Sequence, residues 1–584
     1  MSLPPDRRSI AYQKRVDAAA LAQNRPYNRH QNNGEESGPN SYPNYIANYS
    51  KGLPHNRNTG EVDPNAYAAL LTAITSRDPQ DFENIPLGIP PPTGPRDPKP
   101  RRLTNPQAGL AFDLEGPDSH HVTQVAAPRI DEPEGAAEMA EVYWMSLLRD
   151  INFIDFDGNR RVEEAANSLM NDFPSYPNWP KDNRGRITTS TIFRGNFEGD
   201  LDGPYISQFL LIGNEDKTIN RNEKDGYVKY GTTSIDQRHV VAVKGLDFMT
   251  DYVIWLEVQN GRDTSIDPLK DGNNSHFDRR PRFIRNMRDL ATYVHFDALY
   301  QAYLTACLYM LRAGEPSFDL NKSRFPFDPN NPYMTNNSMN QDGFGTFGGP
   351  HILSLVTEAA TRALKAVWLQ KWSVQRRLRP EAFGGLIHRH ITEKRRTGGT
   401  GPYPMIHSSI LNSSVLDKVF DRNRELNRRH NRGNRDGSYL LSQAFTEGSP
   451  THPSYGAGHA TVAGACVTIL KAFFNEDAKI VNPVVPNDTG IRIEDYRGRG
   501  RNNLTVRGEL NKLAANIAIG RNMAGVHYRS DYIESLKLGE EIAIGILEEQ
   551  HVTMYNEPYK FTFTKFGDTQ KTSIPPWLQQ DLIH

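Results

Sequence analysis

The chain has 584 residues, a length above the usual range for one domain, so a core with several parts or long excursions is expected. Its formal net charge of −1 argues against nucleic acid or an anionic membrane as a partner of the whole protein. There is no run of about 18 apolar residues, and residues 1–24 lack the apolar stretch of a secretory signal. We expect a soluble protein without a signal peptide in the given chain, and its compartment is left open.

Residues 1–110 are expected to form an extended arm with loops. Asn, Gly, Pro and Tyr dominate residues 25–66, and eight prolines fall between Pro86 and Pro106. A segment of this composition cannot build a compact core alone, so we expect it to extend over the body of the protein or over a neighbouring subunit. One helix, at about residues 63–75, interrupts the arm, because Asp-Pro is a helix-start signal.

Helical periodicity dominates residues 111–550, the expected catalytic domain. Apolar residues recur at three- and four-residue steps in six segments. These are residues 137–148, 285–311, 351–378, 457–474, 510–519 and 532–549. In the C-terminal tail, residues 551–584, the segment 560–564 predicts half of a small β-hairpin. The predicted fold is mainly α, most economically one or two helix bundles.

A first charged segment, residues 371–380, reads Lys-Trp-Ser-Val-Gln-Arg-Arg-Leu-Arg-Pro. Pro380 disfavours helical geometry at Arg379, so the helix before it is expected to end near Leu378. On that helix Lys371 and Arg379 are roughly 80° apart around the axis and about 12 Å apart along it. Two long cationic side chains can then reach one target. The alternative is a solvated basic helix end, which the helix dipole favours.

A second segment, residues 456–459, reads Gly-Ala-Gly-His and precedes a helical pattern. It is therefore predicted to form the first turn of that helix, where free backbone N–H groups favour an anion. Gly458 lets the backbone approach the ligand closely, and His459 can carry a proton near neutral pH. The alternative is a glycine-rich helix start with a histidine on the surface.

A third segment, residues 521–531, contains Arg521, His527 and Asp531. Gly525 is expected to break the helix between Arg521 and His527. If His527 and Asp531 share a helix turn, the carboxylate can orient the ring, as carboxylates do for metal-binding histidines. A core histidine with a local salt bridge is the alternative.

Because arginine forks and backbone amides match tetrahedral anions, the three segments together predict one oxyanion site.

In this order the segments resemble the vanadium-dependent haloperoxidases, which share a fold and site with bacterial class A acid phosphatases. The family pattern is a Lys several residues before Arg-Pro, then Pro-Ser-Gly-His, then Ser-Arg-x5-His-x3-Asp. The matching positions are Lys371, Arg379, Pro380, Gly458, His459, Arg521, His527 and Asp531. The Lys-to-Arg spacing and segments such as 347–351 and 452–455 resemble the red-algal and cyanobacterial bromoperoxidase branch, over roughly residues 135–550.

The resemblance implies vanadate as cofactor, with a ring nitrogen of His527 as the ligand of vanadium(V). The residues it assigns to the cofactor are Lys371, Arg379, Gly458, Arg521 and His527. His459 is implied as the catalytic acid and base, and Lys371 as the cation that polarises peroxide. Hydrogen peroxide would oxidise a halide (bromide foremost, then iodide or chloride) to hypohalous acid, which halogenates a small organic acceptor. Vanadium acts here as a Lewis acid.

Three further positions are assigned near the site. His452 matches a second histidine of the bromoperoxidase branch and is expected to tune proton traffic or the halide pocket. Gln370 stands where red-algal relatives tend to carry Arg, so it bears on halide preference. Asp531 is expected to orient His527.

The acidic and amide residues of segment 328–342 are candidates for a structural calcium ion, which relatives of this branch can carry.

Two segments depart from the family pattern: Gly456-Ala457 replaces Pro-Ser, and Gly520 replaces Ser. The alanine removes a hydroxyl that would donate to a vanadate oxygen. A lost hydrogen bond to a charged acceptor costs roughly 1.5–3 kcal/mol, so we expect weaker retention of vanadate.

The resemblance implies two four-helix bundles with long irregular arms and a small β-hairpin, and the site at one bundle's end. It also favours a homo-oligomer based on dimers, up to a dodecamer.

Two rival functions remain open. One is an acid phosphatase that uses the same oxyanion site, because phosphate and vanadate are tetrahedral analogues. The other is an oxyanion-binding assembly protein that the Ala457 change has left inactive.

Overall fold

The computed structural model describes most of the chain. The described residues are 6–89, 100–214, 222–265, 276–278, 280–313, 327–334, 337–429, 436–553, 557 and 559–574. Two predicted features lie partly outside them, namely residues 90–99 of the proline-rich stretch and residues 335–336 of the segment suggested for calcium.

Helices dominate the described residues. They are α1 (Arg7–Gln23), α2 (Pro64–Ser76), α3 (Pro79–Glu83), α4 (Pro133–Leu148), α5 (Arg160–Asp172), α6 (Tyr252–Gln259), α7 (Met287–Phe296), α8 (Gln301–Ala313), α9 (Gly349–Leu369), α10 (Pro380–Thr397), α11 (Ser408–Leu411), α12 (Val415–Arg429), α13 (Gly458–Phe473), α14 (Val506–Ala524) and α15 (Arg529–Thr553). The prediction of a mainly α fold is confirmed. None of these helices, among the residues described, is long and apolar enough to cross a membrane.

The described strands form three antiparallel hairpins. The pairs are β1 (Tyr227–Tyr230) with β2 (Thr233–Asp236), β3 (Val484–Pro486) with β4 (Ile493–Asp495), and β5 (Phe561–Thr564) with β6 (Lys571–Ile574). The predicted hairpin in the tail is the third of these, with Phe561 opposite Ile574.

Helix α13 is the centre of a four-helix bundle with α9, α14 and α15. Apart from His459, every residue of α13 is buried, as expected for a helix that is apolar on all faces. The crossing of α13 and α15 is very close: a Cβ on Gly464 would lie 2.0 Å from the carbonyl oxygen of Leu536. On the other helix, a Cβ on Gly539 would lie 1.9 Å from the carbonyl oxygen of Thr461. Glycine on both helices therefore permits the crossing.

A second group of helices surrounds α4, which is almost completely buried. Helices α5, α11 and α12 pack against α4, and α4 also contacts α14. Because α14 belongs to the first bundle and contacts α7 as well, it joins the two parts of the molecule.

The N-terminal arm contains a helix that the sequence did not predict. Helix α1 lies against α15 but buries none of its residues. A helix without a buried face needs no strong apolar pattern, which is why the sequence did not reveal it. The arm then enters the body of the protein, and Ala47, Tyr49 and Leu53 are fully buried there. The backbone N–H of Tyr49 donates to the carbonyl oxygen of Arg376 at 2.8 Å.

The prediction of one helix over residues 285–311 is wrong. Helix α7 ends at Phe296, Asp297 is extended (φ −64°, ψ 149°), and α8 begins at Gln301. The apolar pattern nevertheless continues across the break, because Leu299 still packs against the core. The sequence pattern therefore concealed a turn that places the carboxylate of Asp297 next to His459.

The prediction of one helix over residues 351–378 is wrong in its last part. Regular geometry ends at Leu369, and a π-helical turn follows over Gln370–Gln375. Arg376 has left-handed geometry (φ 39°, ψ 41°), and Arg379 is the N-cap residue of α10. Lys371 and Arg379 therefore do not lie on one regular helix, and their expected angular relation does not apply.

Candidate active site

Lys371 lies in the π-helical turn and is fully buried. Its Nζ donates to the carbonyl oxygens of Pro453, at 2.8 Å, and Ser454, at 3.1 Å. The ammonium also lies 5.6 Å from the ring centroid of Trp368. Burial, and then the charge of Arg379, lower the pKa of Lys371 well below its usual range. This lysine is thus a cation that its surroundings compensate only in part.

Arg379 contacts both histidine segments of the site. It donates to the carbonyl oxygen of His452 at 2.9 Å, to His452 Nδ1 at 2.9 Å and to the carbonyl oxygen of Val526 at 2.7 Å. Its Nη1 lies 3.0 Å from His527 Nε2, which accepts the fourth hydrogen bond. Burial, with a smaller effect of Arg521, lowers the pKa of Arg379 to about 10.

His527 is held by a carboxylate on its other ring nitrogen. Its Nδ1 lies 2.8 Å from Asp531 Oδ2, as the sequence predicted. Gly525, with φ 93°, ends α14 and lets the chain turn between Arg521 and His527, and α15 begins at Arg529. Burial, and then the charge of Arg379, lower the pKa of His527 well below its usual range. Because a guanidinium can only donate, His527 Nε2 accepts from Arg379 with its lone pair, and the ring proton on Nδ1 is donated to Asp531.

Asp531 has several donors that keep it ionised. Arg377 Nη1 donates to its Oδ1 at 2.6 Å, while Ser454 Oγ donates to its Oδ2 at 2.5 Å. Burial alone would raise the pKa of Asp531, but Arg377 and the hydrogen bond from His527 hold it below its usual range. A fixed negative charge thus sets the orientation of the His527 ring.

Arg521 and His459 each contact a residue at the C-terminal end of α7. Arg521 Nη1 donates to the carbonyl oxygen of Val294 at 3.0 Å, and its buried Nε has no hydrogen-bond partner among the described residues. His459 Nε2 lies 3.1 Å from Asp297 Oδ1. Burial lowers the pKa of Arg521, whereas Asp297 raises it. The charge of Arg521 in turn lowers the pKa of Lys371, so the two cations are close enough to interact electrostatically.

Gly458 is the first residue of α13, and Ala457 is its N-cap residue without a capping side chain. A Cβ on Gly458 would lie 3.1 Å from Trp368 Cζ3, so this helix start packs closely against α9. The backbone N–H of Ala457 donates to Ser535 Oγ at 2.7 Å. The other departure from the family pattern has a packing reason, because a Cβ on Gly520 would lie 3.1 Å from Leu290 and Val294 of α7.

The two positions assigned to the halide pocket differ in their surroundings. His452 is buried beside the cations, and its ring centroid lies 4.9 Å from that of Trp368. Burial, and then Lys371 and Arg379, lower its pKa well below the usual range. The amide nitrogen of Gln370 instead donates to the carbonyl oxygen of Val122 at 3.2 Å and lies 3.1 Å from His30 Nδ1. Gln370 is thus held by Val122 and by His30 of the N-terminal arm.

Four residues that touch the site were not predicted: Trp368, Asp297, Ser454 and Arg377. A signal existed for Trp368, which stands three positions before Lys371 and therefore on the same face of a helix. Asp297 was hidden because its segment was assigned to a continuous helix. Ser454 and Arg377 reach the site through tertiary contacts that no local pattern reveals.

The chain is similar to known proteins over most of its length. A family model for the second helical-bundle domain of VCPO matches residues 392–556. A vanadium-dependent bromoperoxidase of Corallina officinalis is 42% identical over 565 residues, which is 89% of this chain and 90% of that protein. A vanadium-dependent bromoperoxidase of Ascophyllum nodosum is 35% identical over 524 residues, 89% of this chain and 85% of that protein. This chain belongs to the vanadium-dependent bromoperoxidase family.

The architecture agrees with this assignment. The second vanadate-dependent bromoperoxidase of Ascophyllum nodosum, solved as a homohexamer, is 29% identical to this chain, with a TM-score of 0.80. The match covers 96% of this chain and 90% of that one. Members of this family are named for vanadium or vanadate, so the next question is whether the residues here fit such an oxyanion.

The charges of the site fit an oxyanion. Lys371, Arg379 and Arg521 are buried cations, and burial lowers the pKa of each of them. Uncompensated buried cations are costly, and an anion among them removes that cost. Within the described residues, the Nε of Arg521 has no hydrogen-bond partner and can donate to a ligand, while His527 presents an unprotonated nitrogen. The donor set therefore suits a vanadate with one imidazole ligand.

Proposed function

We propose that this protein oxidises a halide, with bromide as the preferred substrate, by means of hydrogen peroxide. The product is hypohalous acid, which halogenates organic acceptors. The observation that carries the proposal is the 3.0 Å contact between His527 Nε2 and Arg379 inside a buried group of cations. Identity to bromoperoxidases over most of the chain does not favour the acid phosphatase or the inactive assembly protein.

We assign His527 Nε2 as the ligand of vanadium, because Asp531 occupies Nδ1 and leaves the Nε2 lone pair available. Lys371, Arg379 and Arg521, with the backbone N–H of Gly458, are assigned to the oxygens of the cofactor. Bound vanadate supplies a Lewis-acidic vanadium(V) centre that activates hydrogen peroxide toward halide. The protein's contribution is to hold the cofactor, compensate its charge and keep the site closed.

His459 is the group that we assign to proton transfer. Oxidation of a halide by peroxide to hypohalous acid consumes a proton, so a residue with access to solvent must deliver it. The side chain of His459 is 19% exposed and is held by Asp297 Oδ1 at 3.1 Å. An imidazole is suited to carry a proton near neutral pH. Lys371, also assigned to catalysis, is fully buried and would polarise the oxygen of bound peroxide.

His452 is assigned to the halide pocket, because its ring accepts from Arg379 and lies against the ring of Trp368. The role of Gln370 in halide preference stays a prediction. Replacing Gln370 by Arg and comparing kcat/KM for bromide and chloride tests it, and an unchanged ratio would remove Gln370 from the pocket.

One assay separates the three candidate functions. Vanadate-loaded protein is mixed with peroxide, bromide and a phenol-type dye, and a parallel sample without vanadate is given a phosphate ester. We expect bromination of the dye, with His459→Ala as a variant that keeps the metal ligand and loses turnover. Hydrolysis without bromination would instead support the phosphatase, and neither reaction would support the inactive protein.

The assembly and a second metal are further parts of the proposal. We infer a homo-oligomer, supported by the homohexameric relative, while a dimer-based dodecamer stays a prediction that mass photometry tests. A calcium ion at residues 328–342 also stays a prediction. In the described part of the chain, no group of three or more His, Cys, Asp or Glu side chains is placed to hold a metal. Metal analysis of dialysed protein would detect a calcium bound through other oxygens.

A further inference from the structure

A buried lysine of the N-terminal arm contacts the first turn of α10, the helix whose N-cap residue is Arg379. Lys51 is 2% exposed and lies 330 positions from its partner, Glu381. Its Nζ lies 2.6 Å from Glu381 Oε1 and donates to the carbonyl oxygens of Glu447 and Ser449, at 2.7 Å each. These three acceptors use all three N–H groups of the ammonium.

Glu381 connects the same loop to the start of α10. It lies in the first turn of α10, two residues after Arg379. Its Oε2 accepts a hydrogen bond from the backbone N–H of Ser449 at 2.8 Å, and its Oε1 accepts from Gln259 Nε2 at 3.2 Å. The carboxylate is therefore bound to the loop at residues 447–449 both directly and through Lys51.

That loop leads directly into the backbone that receives the active-site cations. The carbonyl oxygen of His452 accepts from Arg379, and those of Pro453 and Ser454 accept from Lys371. The arm also contacts the chain two residues after this loop, where the N–H of Thr104 donates to the carbonyl oxygen of Thr451 at 2.9 Å. The position of these acceptors thus depends on a segment far from them in sequence.

We propose that Lys51, together with Glu381, is a positioning residue for the vanadate site. By joining the start of α10 to the 447–449 loop, it fixes the position of Arg379 relative to the carbonyl oxygens of residues 452–454. This inference rests on the proposed function, because it assigns Lys51 an effect on vanadate binding. A buried ion pair is often replaceable by apolar residues without loss of stability, so a positional role explains its presence better than stability does.

The test compares two buried lysines of the same kind. Lys512 donates to the carbonyl oxygen of Asp202 at 2.6 Å and pairs with Glu509, but it lies nine residues before Arg521, about 13 Å along α14. Lys51→Met and Lys512→Met each remove one buried ammonium and keep a side chain of similar length. Vanadate dissociation constants are measured by equilibrium dialysis, and thermal unfolding is followed on the same samples.

We expect Lys51→Met to raise the vanadate dissociation constant about tenfold or more, the effect of one misplaced charged hydrogen bond. Lys512→Met is expected to lower the unfolding temperature while its dissociation constant stays within about twofold of the wild type. Equal weakening by both variants, or unchanged binding by Lys51→Met, overturns the positioning role. If Lys51→Met does not fold, Glu381→Gln is judged by the same comparison.

The same dialysis separates this inference from the proposed function. A wild-type protein that takes up no vanadate refutes the proposed function, and the positioning role with it. Equal uptake by the wild type and Lys51→Met refutes only the positioning role.

Discussion

Ala457 is the residue at which this site differs most clearly from the pattern of its family. It is the N-cap residue of α13 and is 2% exposed, beside the glycine assigned to the cofactor. A serine here could donate to a vanadate oxygen or accept from the free N–H groups of the helix start. The two roles have different readouts, because only the first depends on vanadate.

For Ala457→Ser we expect tighter vanadate binding, by roughly 1.5–3 kcal/mol for a hydrogen bond to a charged acceptor. Titration calorimetry with vanadate measures this difference. Thermal unfolding without vanadate measures the capping contribution, which is about 1 kcal/mol for Ala-to-Ser exchanges at an N-cap. Equal vanadate affinities in the two proteins would contradict the explanation, whatever the capping gain.

At the scale of elements, the α13–α15 crossing depends on glycine. In Gly464→Ala the added Cβ would lie 2.0 Å from a carbonyl oxygen of α15, so the helices must separate. We expect a loss of about 2–3 kcal/mol in the free energy of unfolding, which chemical denaturation measures. Gly349→Ala at the start of α9 is the matched control, because its Cβ would lie 3.8 Å from the nearest atoms. A Gly464→Ala protein as stable as that control would contradict the packing described here.

The loop that contacts α14 and α15 contains a buried carboxyl group, Asp200, whose pKa is raised. Burial raises the pKa of Asp200 from 3.8 to about 7, although Phe197 N–H donates to its Oδ2 at 2.8 Å. Its Oδ1 is buried without a hydrogen-bond partner among the described residues. Because the folded-state pKa is raised, this group's contribution to stability is complete below pH 3.8 and is lost as pH rises through about 7.

Asp200→Asn imitates the protonated group and removes this titration. From about pH 5 to about pH 8 we expect the wild type to lose about 2–3 kcal/mol of unfolding free energy relative to the variant. Urea unfolding of both proteins at the two pH values gives the difference. A constant difference across that range would show that Asp200 is ionised in the folded protein throughout.

Elements with a strong local pattern could be predicted from the sequence, and their irregular ends could not. Helices α2, α4 and α13 have clear start signals or apolar faces, and the predicted ranges agree with them. The turn at Asp297 and the π-helical turn over Gln370–Gln375 escaped prediction, because apolar periodicity continues through both. These two irregular turns place Asp297 and Lys371 at the site. The cations and histidines could therefore be chosen from motifs, whereas their partners required the folded chain.

At the scale of the whole molecule, the N-terminal arm has two parts with different relations to the site. Helix α1 lies on the surface of α15 without buried residues, whereas the segment around Lys51 is enclosed. Between them, Arg25 Nη1 donates to Glu548 Oε2 of α15 at 2.9 Å. The arm is therefore both an outer covering and a part of the core.

Two truncations separate these parts. A chain that begins at Arg25 lacks α1 and is expected to bind vanadate with an affinity within about twofold of the full chain. A chain that begins at Pro54 lacks Lys51 as well and is expected to lose vanadate binding, because buried Tyr49 and Leu53 are missing from the core. Vanadate dialysis with a folding control by circular dichroism measures both. Loss of binding in the first truncation, or full binding in the second, would contradict this division.

The most direct measurement of the central claim is the vanadium content of the wild type and of His527→Ala after incubation with vanadate and dialysis. If three buried cations and the Nε2 atom of His527 form one vanadate site, the wild type retains one vanadium per chain. In the variant the cations remain, so it binds vanadate reversibly and retains almost none. Equal retention by the two proteins, or no retention by the wild type, would contradict the account.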